Sequence, residues 1–177
     1  NYSFIGVDKL VGKHSIYNRY FHHNHIFYLS DAGNHHILNK IFEIEKPNIV
    51  ICGINESNEE SLHCGIMNVI HTSINFKVEK LIYLSNDDIY GSNENALENS
   101  VIPESDSEIY LLNKKAESTI QNFSNHWNIL RVSKVYGQRS GIDSFIPSVM
   151  NSFLNNKEIF LSGKGLLEND YLYIDDF

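Results

Sequence analysis

Five short apolar runs recur along this chain with helix-period segments between them, and that alternation constrains the fold more than any other feature. Asn1 to Val7, His25 to Leu29, Asn48 to Cys52, Lys80 to Leu84 and Trp127 to Val132 each read as a strand. Between them, Ile37, Leu38, Ile41, Phe42 and Ile44 fall at helical spacing until Lys46-Pro47 stops the run. A further helix follows the polar turn Gly53 to Glu60 and continues to around Asn75, and another spans Ser144 to Leu154. Ile159 to Leu161 and Tyr171 to Ile174 read as short strands near the end. The strands are near-continuously apolar and alternate with helices, which is the pattern of a parallel sheet covered on both faces. In such sheets ligands bind beyond the carboxyl ends of the strands. Asp8, Asp31, Gly53 to Ser57, Ser85 to Asp88 and Ser133-Lys134 all fall there, so five strand ends supply polar residues to one rim.

One helix in this series carries a chemically suggestive pair. Ser107 can cap it, and Tyr110 and Lys114 stand four apart, on one face, with Cβ atoms roughly 5–6 Å apart. A phenol with an ordinary pKa of about 10 is a poor base at neutral pH, and a fixed cation beside it favours the phenolate. Such a tyrosine can take a proton from a substrate hydroxyl while a hydride leaves the same carbon. The bare spacing is common on solvated helices, so the weight of this reading comes from the strand ends around it.

At 177 residues and 42% hydrophobic content the chain can bury one core and reads as a single domain, with no internal repeat or low-complexity linker. A net charge of −8 argues against non-specific binding to nucleic acid or anionic membrane. No run is long enough to cross a bilayer, and there is no charged-then-apolar leader. Cys52 and Cys64 fit neither a disulfide framework nor a zinc pattern, so a reducing, cytoplasmic setting is expected, with Cys52 a buried small hydrophobe rather than a nucleophile. His22, His23, His25, His35 and His36 lack any metal-motif spacing to acidic or thiol ligands, and adjacent histidines on a strand face opposite sides; no metal site is expected. The chain opens without Met and closes on Asp175-Asp176-Phe177 with no shift in composition, and reads as cut from a longer one.

Taken together, Val7-Asp-Lys-Leu10, Lys46-Pro-Asn-Ile-Val50, Asn55-Glu-Ser57, Leu84-Ser-Asn-Asp-Asp-Ile-Tyr-Gly91, Tyr110-Leu-Leu-Asn-Lys114, Val135-Tyr-Gly137, Phe145-Ile-Pro147 and Asp170-Tyr-Leu-Tyr-Ile-Asp175 form an ordered series. In that series the chain resembles the extended short-chain dehydrogenase/reductase family, most closely the NAD-dependent nucleotide-sugar 4,6-dehydratases and epimerases of the dTDP-glucose type. The resemblance runs through all 177 residues. It implies a Rossmann-like, doubly wound parallel sheet, here a single partial NAD(P)-binding domain whose substrate-binding region starts at about residue 141. It also implies NAD as cofactor, a dTDP- or UDP-glucose-type substrate, and a homodimer formed through helices that include the Tyr110 helix.

By the same resemblance Tyr110 is the base that starts hydride transfer, and Lys114 holds the nicotinamide ribose. Asp8 accepts the hydroxyls of the adenosine ribose and Asp31 lies against adenine, with Lys9, Ala32, Gly53 and Ser85 completing the cofactor side. Asp87 matches the acid that protonates the leaving hydroxyl, Asp88 the base that removes the C5 proton, and Asn86 the residue that aligns the sugar. Glu56, Ser57 and Lys134 fall on the substrate side.

The chain also departs from the family. Asn86 stands where a Thr is usual, and Asp88 where a Glu is usual, one methylene shorter. Ile54 and Asn55 replace two small residues beside the cofactor. Lys134 replaces an Asn, and Asn169 replaces an Arg that clamps the nucleotide diphosphate; Lys134 can supply a compensating charge there. The family's first strand and its glycine-rich phosphate loop are not matched by any stretch of this chain, and Gly163-Lys-Gly165 lies too far downstream to serve. That strand belongs between the strands at residues 2–7 and 48–52, so a gap of roughly 10 Å, two strand spacings, is expected there. Two functional readings follow: an NAD-dependent nucleotide-sugar dehydratase or epimerase, or a catalytically degenerate relative kept as a binding or assembly module.

Overall fold

The structure, a computed structural model, describes residues 2–9, 25–54, 59–91, 96–100, 102–122, 126–138, 140–141, 144–161, 165–166 and 168–177. Along these residues run β1 (Phe4–Asp8), β2 (His25–Leu29), α1 (His35–Glu45), β3 (Ile49–Cys52), α2 (Glu59–Asn75) and β4 (Lys80–Asn86). A single 3-10 turn (Asp87–Tyr90) leads on to α3 (Glu108–Gln121), β5 (His126–Val132), β6 (Lys134–Tyr136), α4 (Phe145–Leu154) and β7 (Tyr171–Tyr173). They divide into two compact units, Asn1–Arg131 and Val132–Phe177.

In the first unit β1 and β2 pair in parallel, Phe4 opposite His25 through Asp8 opposite Leu29. Gly6 lies opposite Phe27, and a Cβ there would come within 2.8 Å of the Phe27 ring, so a side chain at residue 6 would displace that ring. A second sheet runs in the order β3-β4-β5, with β3 and β4 parallel from Ile49 opposite Lys80 to Cys52 opposite Tyr83. Among the described residues no ladder joins β1 to β3. The interruption falls where the sequence pattern leaves out a central strand.

Local chemistry explains where the helices begin and end. Asn34 takes an extended backbone and its side-chain oxygen accepts the Ile37 N–H at 3.3 Å, which starts α1. Lys46 ends it in the left-handed region, φ 46°, with its N–H on the Phe42 carbonyl and Pro47 immediately after. Ser107 stands at the N-cap of α3 as expected, but its side chain makes no cap bond; the acidic Glu108 in the first turn complements the helix dipole instead. Leu38 and Phe42 of α1, Ile66 and Ile70 of α2, Tyr83 of β4, and Ala116 and Ile120 of α3 meet in one apolar core. Two amide side chains tie these layers together: Asn68 of α2 donates to the Gly33 carbonyl at 2.7 Å, and the buried Asn113 of α3 accepts the Tyr83 hydroxyl at 2.6 Å.

In the second unit β6 pairs in parallel with β7, Lys134 opposite Tyr171 and Tyr136 opposite Tyr173. Gly137 leaves β6 at φ 149°, and a Cβ there would lie 2.4 Å from the Ile174 side chain. Only glycine permits that approach, which lets the Ile174 N–H bond the Tyr136 carbonyl at 2.8 Å. Sequence patterning expects a strand at Ile159–Leu161. The structure has none: these three side chains are exposed and the segment is irregular, because a short apolar run without a neighbouring edge gains no ladder. Conversely β6 is too short to announce itself by periodicity and takes its form from β7.

Candidate active site

The geometry around α3 begins with its buried stripe. Tyr110, Asn113, Ala116, Glu117 and Ile120 recur at three- and four-residue spacing and face inward. Lys114 sits beside that stripe on the exposed side, with its ammonium 5.4 Å from the centre of the Tyr110 ring. The Tyr110 hydroxyl donates to the Pro103 carbonyl. Pro103 in turn lies against Gly91, whose φ of 63° favours glycine and where a Cβ would come within 3.0 Å of the proline ring. The Gly91 N–H closes the 3-10 turn on the Asp88 carbonyl at 3.0 Å. Phenol, proline and acidic turn thus form one continuous series of contacts.

The acidic turn is positioned by β4. Burial alternates along this strand, with Leu81, Tyr83 and Ser85 inside, so the chain leaves the sheet at Asn86. Asn86 Oδ1 accepts the Asp88 N–H at 2.7 Å and so caps the turn. Ile89, fully buried, anchors the turn from below, Asp87 is half-buried and Asp88 is exposed. The buried Ser85 hydroxyl donates to Glu117 Oε1 at 2.7 Å.

On the β1-β2 side, Asp8 ends β1 and is exposed. The Lys9 ammonium lies 3.3 Å from Asp31 Oδ2, while Asp31 Oδ1 accepts the Gly33 N–H at 2.7 Å. Asp31 therefore shapes the tight turn that contains Ala32 and leads into α1. Gly53 follows β3 on the surface, and a Cβ there would meet the Leu84 side chain at 2.9 Å. Cys52 just before it is buried, and burial pushes its thiol up to about 12 against the opposing effect of a backbone hydrogen bond at Ile54. Glu56 and Ser57 lie outside the described residues. Lys134 belongs to the second unit, where its ammonium donates to Asn169 Oδ1. The cation thus stands beside the residue that replaces the family's arginine.

Patterning did not single out Glu117 and Arg131. Glu117 is only 3% exposed, and it receives Arg131 Nη2 on Oε2 at 2.7 Å and Nε on Oε1 at 3.1 Å. This carboxylate holds the Arg131 guanidinium well above its ordinary range. The available signal was an acid lying on the apolar stripe of α3 and a lone Arg within an apolar strand. His25 packs edge-on against Phe4, and His35 stacks with His36. Among the described residues no three His, Cys, Asp or Glu side chains gather as metal ligands, and no helix is long and apolar enough to cross a membrane.

The sequence profile of the NAD dependent epimerase/dehydratase family matches residues 1–177. The dTDP-D-glucose 4,6-dehydratase of Dictyostelium discoideum is 31% identical over 180 residues, covering 86% of this chain and 42% of that enzyme. Among solved structures, UDP-glucose 4-epimerase from Thermotoga maritima with UDP-glucose superposes with a TM-score of 0.83 at 22% identity, over 99% of this chain and 63% of that one. The dTDP-glucose 4,6-dehydratase of Streptomyces venezuelae with NAD bound also gives 0.83, at 16% identity, over 98% and 59%. This chain therefore spans about half the length of such relatives and shares their Rossmann-like fold. With its full length matched by the family profile, the chain belongs to the NAD-dependent epimerase/dehydratase family.

Proposed function

We propose that the protein is an NAD-dependent nucleotide-sugar 4,6-dehydratase acting on a dTDP- or UDP-glucose-type substrate. The observation that carries this reading is the Lys114 ammonium set over the Tyr110 ring and joined through Pro103 to the Asp87–Tyr90 turn.

The donor set suits NAD at both of its ends. Asp8 ends β1 and Asp31 follows β2, its parallel neighbour; the Asp8 carboxylate suits ribose hydroxyls and repels a 2′-phosphate, and Asp31 suits the adenine side. Lys114 offers an exposed ammonium to the nicotinamide ribose. Bound there, NAD would supply the acceptor for the hydride that leaves C4 of the sugar and the donor of the hydride that C6 needs. Tyr110 takes the O4 proton, which requires its hydroxyl to exchange Pro103 for the substrate, and the Lys114 charge stabilises the resulting phenolate. Asp88 then removes the C5 proton while Asp87 donates a proton to the departing C6 hydroxyl, which leaves as water; once C6 regains the hydride, Asp88 returns its proton to C5, which gives the 4-keto-6-deoxy product. Lys134 suits the nucleotide diphosphate, with Glu56 and Ser57 on the sugar. Two thiols without a partner cysteine, one buried and one exposed, suit a reducing cytoplasm, and the α3 side suits a homodimer.

A second reading, epimerisation at C4, is favoured by Asn86, whose side-chain oxygen is committed to the turn rather than to a sugar hydroxyl. Product analysis decides between them. Incubation with NAD and dTDP- or UDP-glucose is expected to yield a 4-keto-6-deoxy sugar, and Tyr110→Phe to yield none. A C4 epimer as sole product supports the second reading; no product from any nucleotide sugar removes both.

A further inference from the structure

Glu117 follows Tyr110 by seven residues and Lys114 by three, so it lies about two turns beyond the tyrosine and one beyond the lysine on their side of α3. A carboxylate buried that deeply requires partners, and it has three bonds: two from Arg131 and one from the Ser85 hydroxyl. Arg131 has donors left over. Its Nη1 donates to the Tyr90 hydroxyl at 2.9 Å and to the Glu98 carbonyl at 3.4 Å, and the guanidinium carbon lies 4.8 Å from the centre of the Tyr90 ring. The Glu117–Arg131 pair therefore joins three pieces: Arg131 of β5 holds the helix of Tyr110 and Lys114 and the last residue of the Asp87–Tyr90 turn, while Glu117 holds the strand end that precedes Asn86.

A buried ion pair is a poor device if stability alone is required, since well-packed apolar side chains often do as well. A planar guanidinium fork instead fixes directions. We propose that Arg131, clamped by Glu117 and bonded to Tyr90, is a positioning residue that sets the acidic turn against the Tyr110 helix. This inference rests on the reading of Tyr110, Asp87 and Asp88 as the reacting groups. Arg131 itself touches neither Tyr110 nor Asp88 in any bond described above; its effect passes through Tyr90 and Glu117.

Two variants of the intact protein test the tie. Tyr90→Phe keeps the ring beneath the guanidinium and removes only the hydroxyl, and Arg131→Lys keeps the charge and removes the fork. The readouts are hydrogen exchange at the Asp88 and Gly91 amides, both bonded within the turn, and the separate effects on kcat and KM. Tyr90→Phe is expected to speed exchange at both amides about tenfold, lower kcat by a similar factor, and leave KM for the sugar nucleotide and the melting temperature near wild type. Arg131→Lys is expected to go further in the same direction, so the conservative cation does not rescue. Exchange and kcat at wild-type levels in Tyr90→Phe overturn the proposal, and if Arg131→Lys does not fold the Tyr90 variant still decides it. A wild-type protein that turns over no nucleotide sugar overturns the functional reading instead, and the exchange rates then test the tie alone.

Discussion

The Lys114 ammonium lies 5.4 Å from the centre of the Tyr110 ring, one helical turn along α3, with the lysine exposed and the phenol buried. An exposed cation thus lies against a buried phenol. Lys114→Met is expected to reduce turnover by about 10²–10⁴-fold, the usual weight of a positioned acid–base group. Because the lysine is on the surface, the melting temperature should hold. Turnover of Lys114→Met equal to wild type refutes the assignment.

Asp88 is the exposed acid of the turn, and its backbone rather than its carboxylate builds the local structure: its N–H goes to Asn86 and its carbonyl to Gly91. Asp88→Asn should therefore fold normally and lose proton abstraction from C5, again by about 10²–10⁴-fold. Asp88→Glu restores the side-chain length usual in the family and should keep most of the activity. Deuterium incorporation at C5 in heavy water measures the step directly. Unchanged incorporation in Asp88→Asn assigns the proton to another base.

How much of this was legible in the sequence depends on the range of the interaction. The four-residue step from Tyr110 to Lys114 is local and could be read outright, as could the helical spacing of α1 and its stop at Lys46-Pro47. That no ladder joins β1 to β3 among the described residues is in keeping with the order of the apolar runs. By contrast β6 exists through its pairing with β7, 37 residues away at Lys134 and Tyr171, and three residues carry no period. Ile159–Leu161 has the composition of a strand without an edge to join. Glu117 was illegible because an acid on an apolar stripe reads as an exposed interruption until its partner, 14 residues on, folds against it.

Cys52 gives a pH dependence whose sign can be worked out. Its thiol titrates near 9.0 in the unfolded chain and is pushed up to about 12 in the fold by burial. Between those values the unfolded state has given up a proton that the folded state keeps, so the stability this group contributes is fully present below about pH 9 and is lost as pH rises toward 12. Burial raises the Tyr83 hydroxyl as well, which adds to the same trend above its ordinary value of 10.0. Urea midpoints measured from pH 8 to pH 11 should fall, and the fall should be shallower in Cys52→Ala. In the folded protein at pH 8 a maleimide should label the exposed Cys64 and spare Cys52. A midpoint that rises with pH contradicts the buried thiol.

The Glu117–Arg131 pair should behave as buried pairs do when one partner is removed. Glu117→Ala strands a guanidinium whose side chain is 14% exposed and leaves the Ser85 hydroxyl without its acceptor. The expected loss is about 3–5 kcal/mol. Ser85→Ala removes a single neutral donor to the same carboxylate and should cost only about 1–3 kcal/mol. Replacing both charges, as Glu117→Ala with Arg131→Met, should cost clearly less than the two single changes added together, because neither mutant then leaves a buried ion alone. Urea unfolding of the four proteins gives the coupling directly. Strict additivity would mean that the carboxylate and the guanidinium are each solvated independently, and the geometry of α3 against β5 would then have to be held by the apolar stripe alone.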